Sequence, residues 1–305
     1  MSLLLFTHPA CLAHDPGAGH PECPQRLANV IDALHAGFPM LDWQIAPAAQ
    51  RGELARVHDP VLIARILDQA VHGHRRLDPD TVVSDASAEA ALRAAGAAVA
   101  AVDAVMAGEA RRAFCAVRPP GHHATHDTAM GFCLFNSVAV AAAHAIAAHG
   151  LARVSIADFD VHHGNGTQDI FAADRRVQYL SSHQSPLYPG TGAASEHGVG
   201  NIHNAPLPPR ANGVAFRTAW SDVLLPAIDA FRPQLLLVSA GFDAHRLDPL
   251  AQIDAEAADF GWLTAELRAL ADRHAEGRVV SLLEGGYSMQ ALRECSVAHV
   301  AAMHE

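Results

Sequence analysis

The sequence is first informative through what it lacks. Lysine is absent, so all 21 basic residues are arginine, and they form no basic run. Because neutralising phosphates requires clustered basic side chains, we expect no direct nucleic-acid binding. With 32 acidic residues and a formal net charge of −11, the surface would instead favour cationic substrates or basic peptides.

Disulfides and membrane segments are not expected either. The five cysteines show no paired spacing, and their odd number argues against a disulfide framework. The apolar run at 3–6 is too short for the core of a signal peptide and has no basic flank. No stretch approaches the length of a membrane span. We therefore expect a soluble, cytoplasmic protein with no membrane partner.

The composition and the order of elements predict an α/β fold. Half of the residues are hydrophobic and 17% are charged, as in ordinary globular proteins. No internal repeat or flexible linker divides the chain, so we expect a single domain over residues 1–305. Short apolar runs alternate with helical stretches, which is typical of a parallel sheet with helices on both faces. The predicted strands are 3–7, 43–46, 113–117, 153–156, 177–181, 201–207, 234–239 and 278–283. The first predicted helix starts near residue 24. The other predicted helices cover residues 60–71, 87–107, 136–149, 167–171, 214–231, 254–274, and 288 to the C-terminus, and the helix 214–231 should break at Pro226.

The stretch 157–167 carries Asp158, Asp160 and His162 directly after a predicted buried strand. Alternate side chains of an extended chain share one face, so these three would project the same way. Two carboxylates and an imidazole converging on one point are typical of a metal centre. The alternative is a capped strand end with turn hydrogen bonds, because short motifs also occur without a ligand.

Four unusual loops each follow a predicted strand, at 118–123, 157–167, 240–245 and 284–287. In a parallel sheet the carboxyl ends of the strands lie at one edge, where ligands bind. We therefore expect the four loops to meet. Each loop alone also fits a structural role: a rigid turn with solvated histidines, an Asx turn, or a turn with a packed tyrosine ring.

The residues of these loops complement one another. Asp243 is a third candidate ligand beside Asp160 and His162, and a set of three leaves a position open for water. A bound metal lowers the pKa of that water and polarises a substrate carbonyl.

Further side chains of the loops fit proton transfer. The tandem His122 and His123 offer general acid and base groups. Asp158 and Asn165 are then candidates to orient those imidazoles. Tyr287 follows two glycines that allow close approach, and it can donate its hydroxyl to a developing oxyanion.

Taken together, these motifs resemble the zinc-dependent histone deacetylase family. The likeness includes Arg-Pro-Pro-Gly-His-His at 118–123 and Asp-Phe-Asp-Val-His-His-Gly-Asn-Gly at 158–166, followed by Gly-Phe-Asp-Ala-His at 241–245 and Glu-Gly-Gly-Tyr at 284–287. It also includes Gly-His-Pro-Glu-Cys-Pro-Gln-Arg at 19–26, Gly-Phe-Cys at 131–133 and Tyr-Pro-Gly-Thr-Gly at 188–192. Asn165 and Glu284 resemble the class II branch, which includes bacterial histone deacetylase-like amidohydrolases and acetylpolyamine amidohydrolases.

The resemblance implies an arginase/deacetylase fold, with an eight-stranded parallel sheet flanked by helices, and one Zn²⁺ per chain. The implied zinc ligands are Asp160, His162 and Asp243. This ligand set does not select metals by softness, so Fe²⁺ or Co²⁺ could also occupy it.

The resemblance also implies roles for the side chains around the metal. The implied proton-transfer pairs are His122 with Asp158 and His123 with Asn165, and Tyr287 would polarise the acetyl carbonyl. The implied channel for an aliphatic side chain is lined by Gly131, Phe132, Tyr188 and Leu250. Arg26 would lie near a pocket through which acetate leaves. A K⁺ ion is implied at the backbone of Asp158, Asp160 and His162 with Ser181 and Ser182. The family's rim aspartate, which grips the substrate backbone, has no clear match here; Asp80 and Asp85 are candidates.

The sequence therefore predicts a zinc-dependent deacetylase that removes acetyl or other acyl groups from lysine side chains, in a peptide or protein, or from similar small amines. Amide hydrolysis needs an activated water, a carbonyl polariser and an acid for the departing amine, and the predicted site supplies all three.

Three alternatives stay open. The first is an acetylpolyamine amidohydrolase: the apolar Leu250 favours acyl-lysine, whereas the acidic net charge favours a polyamine. The second is an arginase-like ureohydrolase with two manganese ions, for which few extra carboxylates are present. The third is an inactive acyl-lysine-binding module, although such proteins usually lack a ligand or the tyrosine. The sequence does not indicate the oligomeric state.

Overall fold

The structure, a computed structural model, describes residues 3–305. The strands are β1 (Leu3–Thr7), β2 (Asp42–Ile45), β3 (His74–Arg76), β4 (Val82–Ser84), β5 (Arg112–Cys115), β6 (Val154–Asp158), β7 (Val177–Gln184), β8 (Ile202–Leu207), β9 (Leu235–Ala240) and β10 (Val279–Leu283). The helices are α1 (Pro9–Ala13), α2 (Pro24–Gly37), α3 (Arg51–Leu54), α4 (Pro60–Leu67), α5 (Ser87–Ala107), α6 (Ser137–His149), α7 (Asn165–Phe171), α8 (Gly213–Ala219), α9 (Leu225–Phe231), α10 (Ala257–His274) and α11 (Met289–His304).

Eight strands form one parallel sheet in the order β2-β1-β5-β10-β9-β6-β7-β8. Every residue of β5, β6, β7, β9 and β10 is buried, as expected for central strands covered on both faces. The predicted α/β class and the predicted eight-stranded parallel sheet are confirmed.

The strand β6 lies between β9 and β7 and is longer than predicted. It extends to Asp158, which pairs in register with Ser239 and Ser181. The backbone N–H of Asp160 then donates to a carboxylate oxygen of Asp158 at 3.1 Å, and the N–H of His162 donates to Asp160 at 2.9 Å. The strand ends at Asp158 and the chain bends at residues 160–162, so the three residues do not lie on one extended strand as expected, although Asp160 and His162 still converge on one point.

Several helix boundaries differ from the prediction for local reasons. The predicted helix 214–231 is divided by a π-helical turn at Trp220–Leu224, which ends two residues before Pro226, because proline cannot donate the backbone hydrogen bond that a regular helix needs. The predicted helix 254–274 begins only at Ala257, where Glu256 and Asp259 form a capping box. The antiparallel hairpin β3–β4 and the short helices α1 and α3 were not predicted.

Helix α5 corrects one expectation about membranes. Its 21 residues are long and apolar enough to cross a membrane by length and composition, so the expectation that no stretch approaches that length is wrong. However, 67% of its apolar window is buried inside the protein, where α5 contacts α1, α6 and β1. Such burial is typical of a core helix in a globular protein. The five cysteines are all free, in agreement with the prediction of no disulfide framework.

Candidate metal centre and active site

The four predicted loops meet at the carboxyl edge of the sheet. The N–H of Gly285 donates to Asp160 at 2.8 Å, and the N–H of Val161 donates to Asp243 at 2.8 Å. His122 Nδ1 lies 3.0 Å from an oxygen of Asp158. These contacts link loops that are far apart in sequence, as the strand order predicts.

Three of the predicted ligands form one compact cluster. One ligand atom from each of Asp160, His162 and Asp243 lies within 4.8 Å of the other two. Nδ1 of His162 lies 3.1 Å from Asp160 Oδ1 and 3.1 Å from Asp243 Oδ2. Both carboxylates are fully buried. Two oxygen ligands and one imidazole nitrogen match the donor set of a catalytic metal site with an open position.

Two glycines make room for these carboxylates. A Cβ at Gly241 would lie 2.0 Å from Asp160 Oδ2, and one at Gly285 would lie 2.1 Å from Asp243 Oδ2. Any larger residue at either position would therefore displace a carboxylate. Because buried carboxylates must be paired or must bind a metal, this close-fitted arrangement fits a divalent cation.

The charges in the cluster are strongly coupled. Burial opposes the charged form of His162, but Asp160 and Asp243 outweigh it and raise the pKa of His162 to about 10. Burial and the neighbouring Asp160 raise the pKa of Asp243. A metal ion would compete with the proton for Nδ1 of His162, so metal binding at this cluster releases a proton.

The tandem histidines have different partners and opposite pKa shifts. Nδ1 of His123 lies 2.8 Å from the amide oxygen of Asn165; because that oxygen only accepts, Nδ1 carries the hydrogen and Nε2 is the basic atom. Burial and the neighbouring His122 and His162 hold the pKa of His123 well below its usual range. For His122, burial lowers the pKa, but Asp158 and Asp160 outweigh it and raise it to about 10.

Two further residues position this pair. The hydroxyl of Tyr179 donates to Asp158 at 2.9 Å and accepts from the N–H of Gly164 at 3.0 Å. Glu284 accepts from the N–H groups of Gly121 and His122, at 2.6 and 3.2 Å. Burial raises the pKa of Glu284 to about 7. Sequence reasoning gave neither residue this role.

A narrow cavity of about 210 Å³ leads to these groups. Its lining includes His123, His162 and Tyr287 from the site. The four predicted channel residues, Gly131, Phe132, Tyr188 and Leu250, also line it, as do two residues that were not assigned to the channel, Asp80 and Leu187. The structure thus brings the predicted channel residues together around the candidate metal centre.

The wall of the cavity at 131–132 has an unusual backbone. Gly131 and Phe132 have φ values of +57° and +67°. Their N–H groups donate to Asp80 Oδ1 and Thr81 Oγ1, both at 3.1 Å. A Cβ at Gly131 would lie 2.4 Å from the ring of His123, so the wall can pass this close to the histidine only with glycine.

Of the two rim-aspartate candidates, the structure brings one to the cavity. Asp80 lines it. Asp85 instead accepts a hydrogen bond from the N–H of Gly73 at 2.8 Å, away from the cavity lining.

Tyr287 is held at its backbone and along its ring. Its N–H donates to Asp248 at 2.7 Å, and its ring lies 5.9 Å from that of Phe132. The guanidinium of Arg26 lies 4.8 Å from the ring centroid. Burial raises the pKa of Tyr287 well above its usual range, so its hydroxyl keeps its proton at neutral pH.

Arg26 is fully buried below Tyr287. It donates to the carbonyl oxygens of Gly286 and Glu284, at 2.5 and 2.6 Å, and to the carboxylate of Glu22 at 2.8 Å. Glu22 also pairs with the buried Arg118. The partner Glu22 was not identified from the sequence, although it lies four residues before Arg26 on the same segment.

The predicted potassium ligands lie beside the centre. Ser181 pairs in register with Asp158, and its hydroxyl lies 2.9 Å from His183 Nδ1. The hydroxyl of Ser182 accepts from the indole N–H of Trp220 at 2.9 Å. The potassium site stays a prediction.

Comparison with known proteins places this geometry in a family. The family model described as "Histone deacetylase domain" matches residues 20–303. Histone deacetylase-like amidohydrolase of Pseudomonas aeruginosa is 41% identical over 92% of this chain and 76% of its own length. Histone deacetylase 14, chloroplastic, of Arabidopsis thaliana is 37% identical over 95% of this chain and 74% of its own. A probable deacetylase of Archaeoglobus fulgidus is 35% identical over 97% of this chain and 84% of its own.

A solved structure agrees with the sequence matches. The crystal structure of the HDA15 HD domain superposes with a TM-score of 0.94 and 34% sequence identity, and the match covers 100% of this chain and 88% of that one. The predicted deacetylase fold is confirmed by this match. The chain therefore belongs to the histone deacetylase family of hydrolytic deacetylases.

Proposed function

We propose that this deacetylase hydrolyses the acetyl amide of lysine side chains, using one divalent metal ion held by Asp160, His162 and Asp243. The observation that carries the proposal is the cavity of about 210 Å³, which joins His162, His123 and Tyr287 through a largely apolar wall. A narrow apolar passage fits an uncharged, unbranched acyl-lysine side chain and holds its amide beside polar groups.

We propose zinc as the resident ion, although Fe²⁺ or Co²⁺ fits the same ligands. When bound, such an ion supplies a Lewis acid that polarises the amide carbonyl and lowers the pKa of a water molecule. Among residues 3–305, the only other group of three with metal-ligand geometry is Asp103, His144 and His149. None of these residues lines the cavity, which argues against a two-metal ureohydrolase.

The two histidines divide the proton transfers between them. His123 is neutral, with its hydrogen on Nδ1 and a free Nε2 at the cavity, so we assign it the role of general base. His122, beside the carboxylate of Asp158, favours the protonated form. A pair of titratable groups whose pKa values are pushed apart is a typical acid–base arrangement.

Tyr287 is assigned the role of hydrogen-bond donor to the developing oxyanion. It lines the cavity with its proton retained, and its backbone is fixed by Asp248. A donor that is already in place needs no rearrangement during the reaction, and this is what makes such hydrogen bonds effective.

The charge of the channel bears on the proposed substrate class. The proposal of acyl-lysine rests on Leu250 and Phe132, since a polyamine carries further positive charge that an apolar wall does not stabilise. The alternative, an acetylpolyamine, is favoured by Asp80 at the cavity and by the net charge of −11.

Other assignments rest on the resemblance and stay proposals. They are the acetate pocket at Arg26, the potassium site at Ser181 and Ser182, a single domain over residues 1–305, and location in the cytoplasm. The match of the family model over residues 20–303 supports the single domain. One relative is named as chloroplastic, so the compartment differs among related proteins.

A paired assay tests the proposal. Turnover of an acetyl-lysine peptide and of acetylspermidine is measured on the same preparation, with its metal content quantified. Because the enzyme has no lysine, detection of the released amine is free of a side-chain amine background. We expect faster turnover of the peptide, with about one transition metal per chain. Faster turnover of acetylspermidine would overturn the proposed substrate, and two manganese ions per chain would overturn the proposed site.

A further inference from the structure

A second groove of about 400 Å³ lies beside the cavity. One side is the loop of residues 16–21, which contributes two prolines and His20. The other side is the hairpin β3–β4, which contributes Arg76 and Asp80. The function derived so far does not use this groove.

The groove and the cavity share a wall. Asp80 and Phe132 line both. The ring of His20 packs edge-on against Phe132 at 4.8 Å, and His20 Nε2 lies 3.2 Å from the carbonyl oxygen of Asp80. The two spaces therefore adjoin each other at Asp80 and Phe132.

The charged groups of the groove are not equally available. Asp80 Oδ1 already accepts from Thr81 and from Gly131, at 2.8 and 3.1 Å. Arg76 is exposed, donates to the carbonyl oxygen of Pro79 at 2.5 Å, and has no carboxylate partner among residues 3–305. A guanidinium has five N–H donors in a planar fork that matches a carboxylate. Arg76 is thus the cationic side chain of the groove that has N–H donors left for a carboxylate.

Resting on the proposed function, we propose that this groove is a substrate subsite for the residues next to the acyl-lysine, with a preference for an acidic side chain that pairs with Arg76. The prolines and His20 supply a rigid surface for the peptide backbone. A polyamine has no carboxylate, so it gains nothing from Arg76. The preference is local, because the net charge of −11 alone would attract a basic peptide.

The test compares acetyl-lysine peptides that carry aspartate or asparagine at one position at a time, from two residues before to two residues after the lysine. Since exposed ion pairs are weak, we expect aspartate at one position to raise kcat/KM about threefold over asparagine. Arg76→Gln should remove this ratio. Arg75→Gln is the matched control: Arg75 lies on the same strand but bonds to Gln69 and to the carbonyl oxygen of Arg65, so the ratio should persist.

A second variant tests occupancy of the groove without charge. Ala18 is exposed and lines the groove, so Ala18→Trp should fill it. We expect a higher KM for the peptides. The KM for Nε-acetyl-lysine amide should not change, because this compound has no neighbouring residues to occupy the groove. An equal aspartate-to-asparagine ratio in the wild type and Arg76→Gln, or peptide kinetics unchanged in Ala18→Trp, would overturn the subsite. Hydrolysis of Nε-acetyl-lysine amide in the same experiment would leave the proposed function standing, whereas no turnover of any acetyl-lysine compound would overturn both.

Discussion

At the scale of single residues, the hydroxyl of Tyr287 differs from the other polar groups of the centre. Asp160, Asp243 and the two tandem histidines all have protein partners within hydrogen-bond distance. The Tyr287 hydroxyl has none among residues 3–305, although the backbone N–H of the same residue is held by Asp248. A donor that is positioned but unpaired is free to bind a reacting group.

Removal of this hydroxyl is the first prediction. Tyr287→Phe should lower kcat by a factor of about 10²–10³, the typical effect of losing one oxyanion donor. The circular dichroism spectrum and the metal content should not change. Tyr188→Phe is the matched control, because Tyr188 lines the same cavity and loses the same atom. A similar kcat in Tyr287→Phe and wild type, or an equal loss in both variants, would contradict the assigned role.

The motif residues could be identified from the sequence, whereas the residues that hydrogen-bond to them and position them could not. Asp160, His162 and Asp243 follow strand ends, and the rule that parallel strands end at one edge is enough to bring them together. Tyr179 lies within a buried strand, and the sequence gives no sign that its hydroxyl bonds to Asp158. Its role depends on the register of β7 beside β6, which only the folded chain defines.

At the scale of elements, the loop of residues 188–192 contributes Tyr188 to the cavity wall and is fixed at its far end. Nδ1 of His163 lies 2.8 Å from the hydroxyl of Thr191, and His183 Nε2 lies 3.0 Å from the carbonyl oxygen of Gly192. The ring of Tyr188, at the other end, lies 5.1 Å from that of His123. The position of Tyr188 therefore depends on how the loop packs on two histidines.

A glycine pair in this loop gives the second prediction. Gly190 and Gly192 have φ values of +85° and +88°, but only Gly192 is enclosed: a Cβ there would lie 2.6 Å from the rings of His163 and His183. Gly192→Ala should displace the loop and lower kcat/KM about 10²-fold, as small misplacements near a reacting group do. Gly190→Ala is the control. It carries only the backbone strain of about 1 kcal/mol, so its kcat/KM should stay near that of the wild type.

The kinetics of both variants are measured on an acetyl-lysine peptide, with urea unfolding to follow stability. Equal kcat/KM values for the two variants would show that the packing of Gly192 does not position the cavity wall.

Regular elements were predictable where their pattern is strong. The strands β6, β9 and β10 are mostly apolar and fully buried, and the Ala-rich α5 was predicted with its observed bounds. The hairpin β3–β4 was missed because its first strand is His-Arg-Arg and mostly exposed. It carries Asp80 and Arg76 to the groove, so the missed element is also the one that extends the candidate substrate site.

At the scale of the whole molecule, several histidines are buried in the neutral form. Burial lowers the pKa of His58 and His183 to about 4, and that of His163 and His299 to about 3. His299 lies in the core, with its two ring nitrogens 2.6 Å from Thr264 and 2.8 Å from Ser281. The unfolded chain protonates these histidines near pH 6.5, whereas the folded chain does not.

The third prediction concerns the stability that these histidines contribute. Because the unfolded state binds more protons on them between pH 6.5 and about 3, their contribution to the free energy of unfolding falls as pH falls through this range. His299 alone should contribute a loss of about 1.4 kcal/mol between pH 7.5 and 5.5. His299→Gln should reduce the loss in free energy of unfolding between pH 7.5 and 5.5 by that amount, whatever the substitution does to the free energy of unfolding at pH 7.5.

Urea unfolding at the two pH values measures this difference. His304→Gln is the control, since His304 is exposed near the end of the same helix; it should leave the loss unchanged. A pH-dependent loss in His299→Gln equal to that of the wild type would show that His299 does not drive the effect.

We propose that one metal ion, held by Asp160, His162 and Asp243, is required for hydrolysis of acetyl-lysine. The most direct measurement is the turnover of an acetyl-lysine peptide by metal-depleted protein as Zn²⁺ is added back in known amounts. We expect no activity without metal, a linear rise in activity that ends at about one equivalent of Zn²⁺, and no recovery in Asp243→Asn. Activity that persists without metal, or that needs a second equivalent to appear, would contradict it.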